Sequence, residues 1–148
     1  MKMKEANPHV PRLLLILSML CALAGFMLYE TNGTNKLSPD LNTVCQIGLG
    51  CCAGLCLLNL VWEAVSKRLS LLLAYAQYLA GLLGFAEYIV SQLNYIANVL
   101  YGVDGNSFTP VMMATAGTGL IAFLLALTAA IMLRREAYRK NLAAVQEV

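Results

Sequence analysis

Four long blocks of apolar residues, almost free of charge, set the limits on how this chain of 148 residues can fold. The blocks cover about residues 13–29, 41–63, 69–88 and 110–133. An α-helix rises about 1.5 Å per residue, so about 20 apolar residues cross the hydrocarbon core of a bilayer, which is about 30 Å thick. The pattern therefore predicts an all-α fold, an integral membrane four-helix bundle.

The basic residues lie at the ends of these blocks. Nine of the ten Lys and Arg side chains fall in three short segments, namely Lys2, Lys4 and Arg12; Lys67 and Arg68; and Arg134, Arg135, Arg139 and Lys140. Lys36 is the exception. Because short basic segments stay on the cytoplasmic side during insertion, we expect both termini and the connection between the second and third blocks to lie in the cytoplasm. The predicted location is the bacterial plasma membrane.

Composition indicates a single membrane domain that covers residues 1–148. Hydrophobic residues make up 59% of the chain and charged residues 12%, whereas soluble domains are about 45 to 50% apolar. No polar stretch is long enough to form a separate folding unit. The net charge of +2 is small, and no basic patch is interleaved with aromatic residues. We expect the lipid bilayer and other membrane proteins, or further copies of the chain, as partners, and no nucleic acid.

The segments between the blocks carry turn signals. Residues 31–40 have the Gly, Pro and Asn content of an exposed loop, with Ser38 or Asp40 available as the N-cap of the second helix. Residues 64–68 are too few for anything but an antiparallel helical hairpin. Residues 104–106, Asp-Gly-Asn, predict a turn before the fourth block.

Residues 89–101 are predicted to form an amphipathic helix on the outer side of the membrane, because they contain neither Gly nor Pro. Apolar and polar residues recur there at helical spacing, with Ile89, Leu93, Ile96 and Leu100 on one side and Ser91, Asn94, Asn98 and Tyr101 on the other. The sequence leaves open whether this helix lies on the membrane or extends the third span. Residues 134–148 predict a cytoplasmic helical tail.

Small residues recur along the long blocks, and we expect them to mediate helix packing. In lipid, apolar contact gives no preference for protein over acyl chains, so the close approach of backbones drives helix association. The predicted packing positions are Gly50 and Gly54; Ala80 and Gly84; and Ala114, Thr118, Ala122, Ala126 and Ala130. They serve either packing within one bundle or packing against a partner or second copy.

Three of the five cysteines are predicted to share one layer of the membrane. At about 1.5 Å per residue from the inner face, Cys21, Cys52 and Cys56 come out near the depth of Gln77. A soft metal could bind such a thiol layer. However, no His accompanies these thiols within the membrane, and a desolvated thiol resists ionisation. We therefore expect no metal and no cofactor, and we interpret the cysteines as small packing residues.

Four polar side chains are candidates for a ligand site or solute path, namely Gln77, Glu87, Asn94 and Asn98. Gln77 is the most central, and a buried amide there either bonds a neighbouring helix or lines a path. Glu87 is expected near the outer interface, where an ionised carboxylate is tolerated. Glu63 precedes Lys67 by four residues, and this spacing predicts an ion pair between them.

The sequence carries no recognisable catalytic arrangement. His9, the only histidine, lies in the N-terminal segment, so no nucleophile inside the bundle has a histidine base. No phosphate-binding loop and no zinc-ligand spacing occurs. We expect a non-enzymatic protein.

Two stretches suggest a relationship to other proteins. One is the short basic start followed by Leu13-Leu14-Leu15-Ile16-Leu17 and Ala22-Leu23-Ala24-Gly25. The other is the outer segment that begins Ala86-Glu87-Tyr88-Ile89 and ends Gly102-Val103-Asp104-Gly105. In both, and in the layout of its spans, the chain resembles a group of small bacterial four-span membrane proteins without assigned function. The resemblance implies a shared fold and no particular activity.

Two functions are compatible with these patterns. The first is an accessory, scaffold or interaction subunit whose outer segment and small-residue faces contact other proteins or copies of itself. The alternative is a small transporter or channel with a polar path near Gln77 and Glu87, assembled as an oligomer because four helices seldom enclose such a path alone. The missing base and nucleophile weigh against a third function, a membrane enzyme acting on lipid or thiol.

Overall fold

The computed structural model describes residues 9–32, 42–102 and 107–146. In these ranges the chain forms five α-helices, α1 (His9–Asn32), α2 (Thr43–Ser66), α3 (Leu71–Ser91), α4 (Leu93–Leu100) and α5 (Pro110–Gln146). Four of them, α1, α2, α3 and α5, are long and apolar enough to cross a membrane. The predicted all-α bundle of four long apolar helices is confirmed, and their length and composition indicate an integral membrane protein.

The four long helices form a ring in the order α1, α2, α3, α5. Extensive contacts join α1 to α5, α2 to α3 and α3 to α5, and a smaller set joins α1 to α2. Neighbouring helices run antiparallel: along the α1–α5 seam, for example, Ser18 contacts Ala122, while Gly25, further along α1, meets the earlier residue Thr118. The start of α1, the α2–α3 connection and the second half of α5 therefore share one end.

We call this end of the bundle the basic end. It holds the basic residues of the described spans and their connection, namely Arg12, Lys67, Arg68, Arg134, Arg135 and Arg139. The opposite end, which holds the end of α1 and the starts of α2 and α5, is called the far end below.

The core is built in three layers, with the smallest side chains in the middle. The layer nearest the basic end contains Leu15, Cys56, Ala74, Ala129 and Ala130. The middle layer contains Ala22, Cys52 and Ala122. The layer at the far end contains Tyr29, Cys45, Leu49 and Tyr88. Because Ala and Cys fill the middle layer, the helix backbones approach closely there.

A close approach of the backbones joins α2 to α3 at two glycines. A Cβ added to Gly48 would lie 2.6 Å from the Cα of Gly84 and 3.1 Å from the carbonyl oxygen of Ala80. A Cβ on Gly84 would lie 2.9 Å from the backbone nitrogen of Leu49. Gly84 and the half-buried Ala80, two of the predicted packing positions, lie at this crossing, and the residue of α2 that meets them is Gly48.

Two tyrosines tie the helices together at the far end. The rings of Tyr29 and Tyr88 meet edge to face, with centroids 5.6 Å apart. The hydroxyl of Tyr29 accepts a hydrogen bond from the backbone N–H of Asn42 (2.6 Å), and the hydroxyl of Tyr88 donates to the carbonyl of Met112 (3.2 Å). The pair therefore connects α1 and α3 with the starts of α2 and α5.

The N-cap of α2 differs from the residues that the sequence predicts. Its N-cap is Asn42, whose side-chain oxygen accepts from the backbone N–H groups of Val44 (2.9 Å) and Cys45 (3.2 Å). The predicted caps, Ser38 and Asp40, lie outside the described residues. Residues 33–40 of the predicted loop also lie outside the described residues. The same is true of the predicted turn at 104–106 and of the basic residues Lys2, Lys4 and Lys36.

The predicted amphipathic helix at 89–101 is divided between two helices. α3 continues through Ser91, the chain turns at the buried Gln92, and the short helix α4 follows. The backbone N–H of Gln92 bonds to the carbonyls of Tyr88 and Ile89, which tightens the last turn of α3. The third helix thus begins two residues later and ends three residues later than the predicted block at 69–88, and the separate helical element is α4 alone.

Candidate functional site

A hydrogen-bonded polar cluster surrounds Gln77 inside the bundle. The side chain of Gln77 is fully buried, and its Nε2 donates to the Oγ of Ser18 (3.1 Å) and to the carbonyl of Leu15 (3.3 Å). Ser18 in turn donates to the carbonyl of Ala122 on α5 (2.6 Å). One amide and one hydroxyl thus join α1, α3 and α5. Of the two roles considered for Gln77, this arrangement corresponds to hydrogen bonding between helices.

The other polar atom of Gln77 lacks a partner. Its Oε1 is buried and has no hydrogen bond among the described residues. The thiols of Cys52 and Cys56 lie close to the Gln77 side chain, and thiols are weak donors. A buried carbonyl without a good donor costs about 1–3 kcal/mol, so the cluster opposes part of the stability that its hydrogen bonds provide.

The structure places the three cysteines of the predicted thiol layer unequally. Cys52 and Cys56 are fully buried, whereas Cys21 is only partly buried against the middle layer of the core. The Sγ of Cys52 lies 3.9 Å from the Oγ of Ser18, and the Sγ of Cys56 donates to the carbonyl of Leu15 (3.2 Å). In the described part of the chain, no three His, Cys, Asp or Glu side chains lie close enough together to hold a metal ion.

The other polar candidates lie apart from Gln77. Glu87 follows it by ten residues on α3, a distance of about 15 Å along the helix. At the far end the Oε2 of Glu87 accepts a hydrogen bond from the side-chain amide of Asn42 (3.3 Å). Asn94 is exposed and Asn98 half-buried on α4. The four side chains do not form one site.

Asn59 is a buried polar residue that the sequence pattern did not single out. Its Oδ1 accepts from the backbone N–H of Ser70 (2.7 Å), and its Nδ2 donates to the carbonyl of the same residue (3.1 Å). Since Ser70 is the N-cap of α3, Asn59 holds the α2–α3 hairpin closed at the basic end. The sequence feature that could have located Asn59 is a single Asn within an apolar span, where a polar side chain needs a hydrogen-bond partner.

Glu63 has a different partner from the one that its spacing predicts. Its Oε2 lies 3.5 Å from the Nε of Arg12 on α1, and the two side chains form an ion pair. Lys67, the predicted partner, is the C-cap of α2 and has a left-handed backbone with φ of 56°. Helical geometry ends at Ser66, so the spacing that brings residues i and i+4 together does not extend to Lys67.

The predicted stripe of small residues on α5 turns out of the bundle towards the start of the helix. Its last three members are fully buried, Thr118 is half-buried against Gly25, and Ala114 is exposed. A four-residue step turns a helix by about 400°, so four steps rotate the stripe by about 160°. The buried face continues instead through Thr115 and Gly119.

Gly50 and Gly54 lie on the face of α2 that points away from the bundle. Both are exposed, and a Cβ added to either would meet no atom within 4 Å. They therefore take no part in packing within the chain. Three further exposed residues share this side of the helix. We call the set the glycine face, and it consists of Ile47, Gly50, Cys51, Gly54 and Leu58.

No protein-family model, curated protein or solved structure matches this chain. The resemblance to small bacterial four-span membrane proteins therefore stays a prediction. The chain's own geometry, and the glycine face above all, is the basis for a function.

Proposed function

We propose that the protein is a non-enzymatic membrane scaffold or accessory subunit that self-associates through the glycine face of α2. The observation that carries the proposal is that Gly50 and Gly54 are exposed and touch nothing in their own chain. Glycine inside a helix costs roughly 0.5–1 kcal/mol relative to alanine. Contact with lipid does not offset this cost, whereas a second helix does, because backbones without a Cβ approach closely and gain dispersion contacts.

A second copy of the chain is the partner that this face fits best. The residues of the glycine face follow the spacing i, i+3, i+4, i+7 and i+11, so they form one continuous stripe along the helix. Two such stripes related by a two-fold axis place the glycines of each α2 against the other, so the face is complementary to itself. It carries no charged residue, as a contact in the hydrocarbon core requires.

The other features agree with this role. Gln77 gives the transporter alternative no comparable support, since its side chain is fully buried and bonded to α1. The basic end supports the orientation that the sequence predicts. Because the basic segments share that end of the bundle, the positive-inside rule assigns it, together with both chain termini, to the cytoplasm.

Cys51 provides the test, because it is the exposed thiol of the glycine face. In the proposed dimer the two copies of Cys51 lie close to the two-fold axis. Mild oxidation of the protein in its membrane, for example by copper phenanthroline, is expected to yield a disulfide-linked dimer on a non-reducing gel. The Cys51→Ser variant should give none, although its other cysteines are intact.

Substitutions of the glycines separate a specific contact from random collision. The double variant Gly50→Leu, Gly54→Leu should lose the cross-linked dimer and keep the thermal stability of the bundle, since neither added side chain starts against an atom of its own chain. Ala114→Leu, a matched change at an exposed residue of α5, should leave the dimer intact. A monomer in native mass spectrometry, or a disulfide yield that the glycine variants do not alter, would contradict the proposal.

A further inference from the structure

A cavity of about 300 Å³ lies at the basic end, between the α2–α3 connection and α5. Its polar lining consists of Glu63, Lys67, Arg68, Glu136 and Asn141, and leucines of α3 and α5 contribute an apolar wall. Small-molecule sites measure about 300 to 1,000 Å³. This cavity therefore has room for a small polar group and not for a whole lipid.

The cavity lies at the level where the apolar spans end. Trp62, exposed in the last two turns of α2, is of the residue type that marks a membrane interface. A group bound between the charged side chains and the leucine wall would have its polar part at the surface of the bilayer and its apolar part towards the acyl chains. A lipid headgroup has this arrangement.

We propose that the cavity binds the headgroup of an ethanolamine phospholipid, in which a phosphodiester anion and a primary ammonium are joined by a short linker. Two bases and two acids line it, so it matches a zwitterion better than a group of one charge. Lys67 and Arg68 donate to the phosphodiester, because guanidinium and ammonium groups form strong, charge-assisted hydrogen bonds with phosphate oxygens. Glu63 is already held by Arg12.

Glu136 decides which cationic headgroup fits. Its Oε1 is buried and has no hydrogen-bond partner in the part of the chain that the structure describes. Leaving a buried carboxylate oxygen without a donor is costly. A primary ammonium in the cavity supplies N–H donors to the Glu136 carboxylate, whereas the quaternary ammonium of a choline headgroup has no N–H. A glycerol headgroup brings no positive charge to balance Glu136. The Glu136 carboxylate therefore selects ethanolamine among the common headgroups.

The same phosphoethanolamine chemistry also occurs in small soluble molecules. We assign the lipid as the source, because leucines of the lining lie where the apolar spans end. The site is separate from the glycine face, whose residues lie on the outer side of α2 in the span. Headgroup binding and self-association can therefore fail independently of each other.

The test is lipid binding to the full-length protein, purified in detergent and followed by native mass spectrometry. A series of lipids with identical acyl chains, carrying ethanolamine, its N-methyl and N,N-dimethyl derivatives and choline, keeps the phosphate and the charge while removing N–H donors. Affinity is expected to be at least about tenfold lower for choline than for ethanolamine, because a hydrogen bond to a charged group is lost. The largest step should accompany loss of the last N–H. Equal affinity across the series would overturn the proposal.

Variants locate the site. Glu136→Gln, which keeps the shape of the side chain, should remove the preference for ethanolamine over choline, and Lys67→Gln with Arg68→Gln should weaken both lipids alike. Glu30→Gln, a change at an exposed acid of the far end, should alter nothing. A selectivity that survives Glu136→Gln would overturn the assignment to this cavity.

Soluble glycerophosphoethanolamine should compete poorly with the lipid for this cavity. Competition as strong as that of the lipid would overturn the assignment to a membrane lipid.

Discussion

At the crossing of α2 and α3, Gly48 and Gly84 leave no room for a Cβ, since one on Gly48 would lie 2.6 Å from the Cα of Gly84. Gly50, two residues along the same helix, faces open space. Both glycines lie in equally apolar surroundings, so the chain around them does not reveal which one packs inside the bundle. The position of the partner helix decides it, and that position depends on residues far away in sequence.

Gly48→Ala is expected to destabilise the bundle by about 1–3 kcal/mol, because the added methyl group meets backbone atoms that cannot move independently. The matched control is Gly117→Ala on α5, where a Cβ would meet no atom within 4 Å. This change should be neutral or slightly stabilising, since alanine is the better helix former. Thermal unfolding of the purified protein in mild detergent measures both. Similar losses for the two variants would show that the crossing tolerates a side chain.

At the scale of the helices, their number and approximate extent follow from the sequence because they depend on composition alone. A run of about 20 uncharged apolar residues has few alternatives in a bilayer. The inward face of each helix is harder to predict. In a soluble bundle polar residues mark the outside, but here the lipid-facing side is as apolar as the core. The predicted stripes, in which small residues recur every four positions, therefore include only part of the buried face, and their direction rotates away from it along the helix.

The inward faces follow steps of three or four residues. On α3 the buried positions are Ala74, Gln77, Gly81, Gly84 and Tyr88. On α2 they include Cys45, Gly48, Cys52, Cys56 and Asn59. A repeat of about 3.5 residues is typical of helices that pack at a small angle with a left-handed twist. Such a repeat, with small and polar residues in it, is the signal that would have located Gly48, Asn59 and Gln77 together.

The break between α3 and α4 had no sequence signal, because neither Gly nor Pro occurs in residues 89–101. α4 itself leaves two leucines outward, with Leu93 54% and Leu100 72% exposed. These residues are seven apart and so lie on the same side of the helix. A short helix with an exposed apolar side and a polar opposite side suits the membrane surface.

We expect α4 to lie on the membrane with Leu100 in the lipid. A tryptophan that replaces Leu100 in a Trp62→Phe background, which has no other tryptophan, should be strongly quenched by lipids brominated in the upper acyl chain. A tryptophan at Asn94, on the polar side, should be quenched much less and should emit at longer wavelength. Equal quenching at the two positions would contradict a surface location.

At the scale of the molecule, the ring of helices gathers charges from three separate segments of the chain. Lys67 and Arg68 share a cavity with Glu136, and Arg12 pairs with Glu63. Four spans require that these segments lie on one side of the membrane, so their common end could be predicted. The cavity could not be predicted from the sequence, because it forms only if α5 continues as one helix beyond the span and past the α2–α3 connection.

Both chain termini are expected in the cytoplasm. A fluorescent protein fused after Val148 should be bright, and alkaline phosphatase fused at the same point should be inactive, since it requires the oxidising outer side to fold. The same phosphatase inserted after Gly102, between α4 and α5, should be active. The reverse pattern of activities would show that the bundle has the opposite orientation.

The extensive contact between α1 and α5 has a consequence for biosynthesis. The α2–α3 hairpin can form as soon as both helices are made, through the Gly48–Gly84 crossing and the bond of Asn59 to Ser70. In contrast, the hydroxyl of Ser18 on α1 bonds to a carbonyl of α5, a helix that is made after α2 and α3. The α1–α5 seam therefore closes only after α5 has been made, and until then the face of α1 that packs on α5 is an unpaired surface that membrane quality control can recognise.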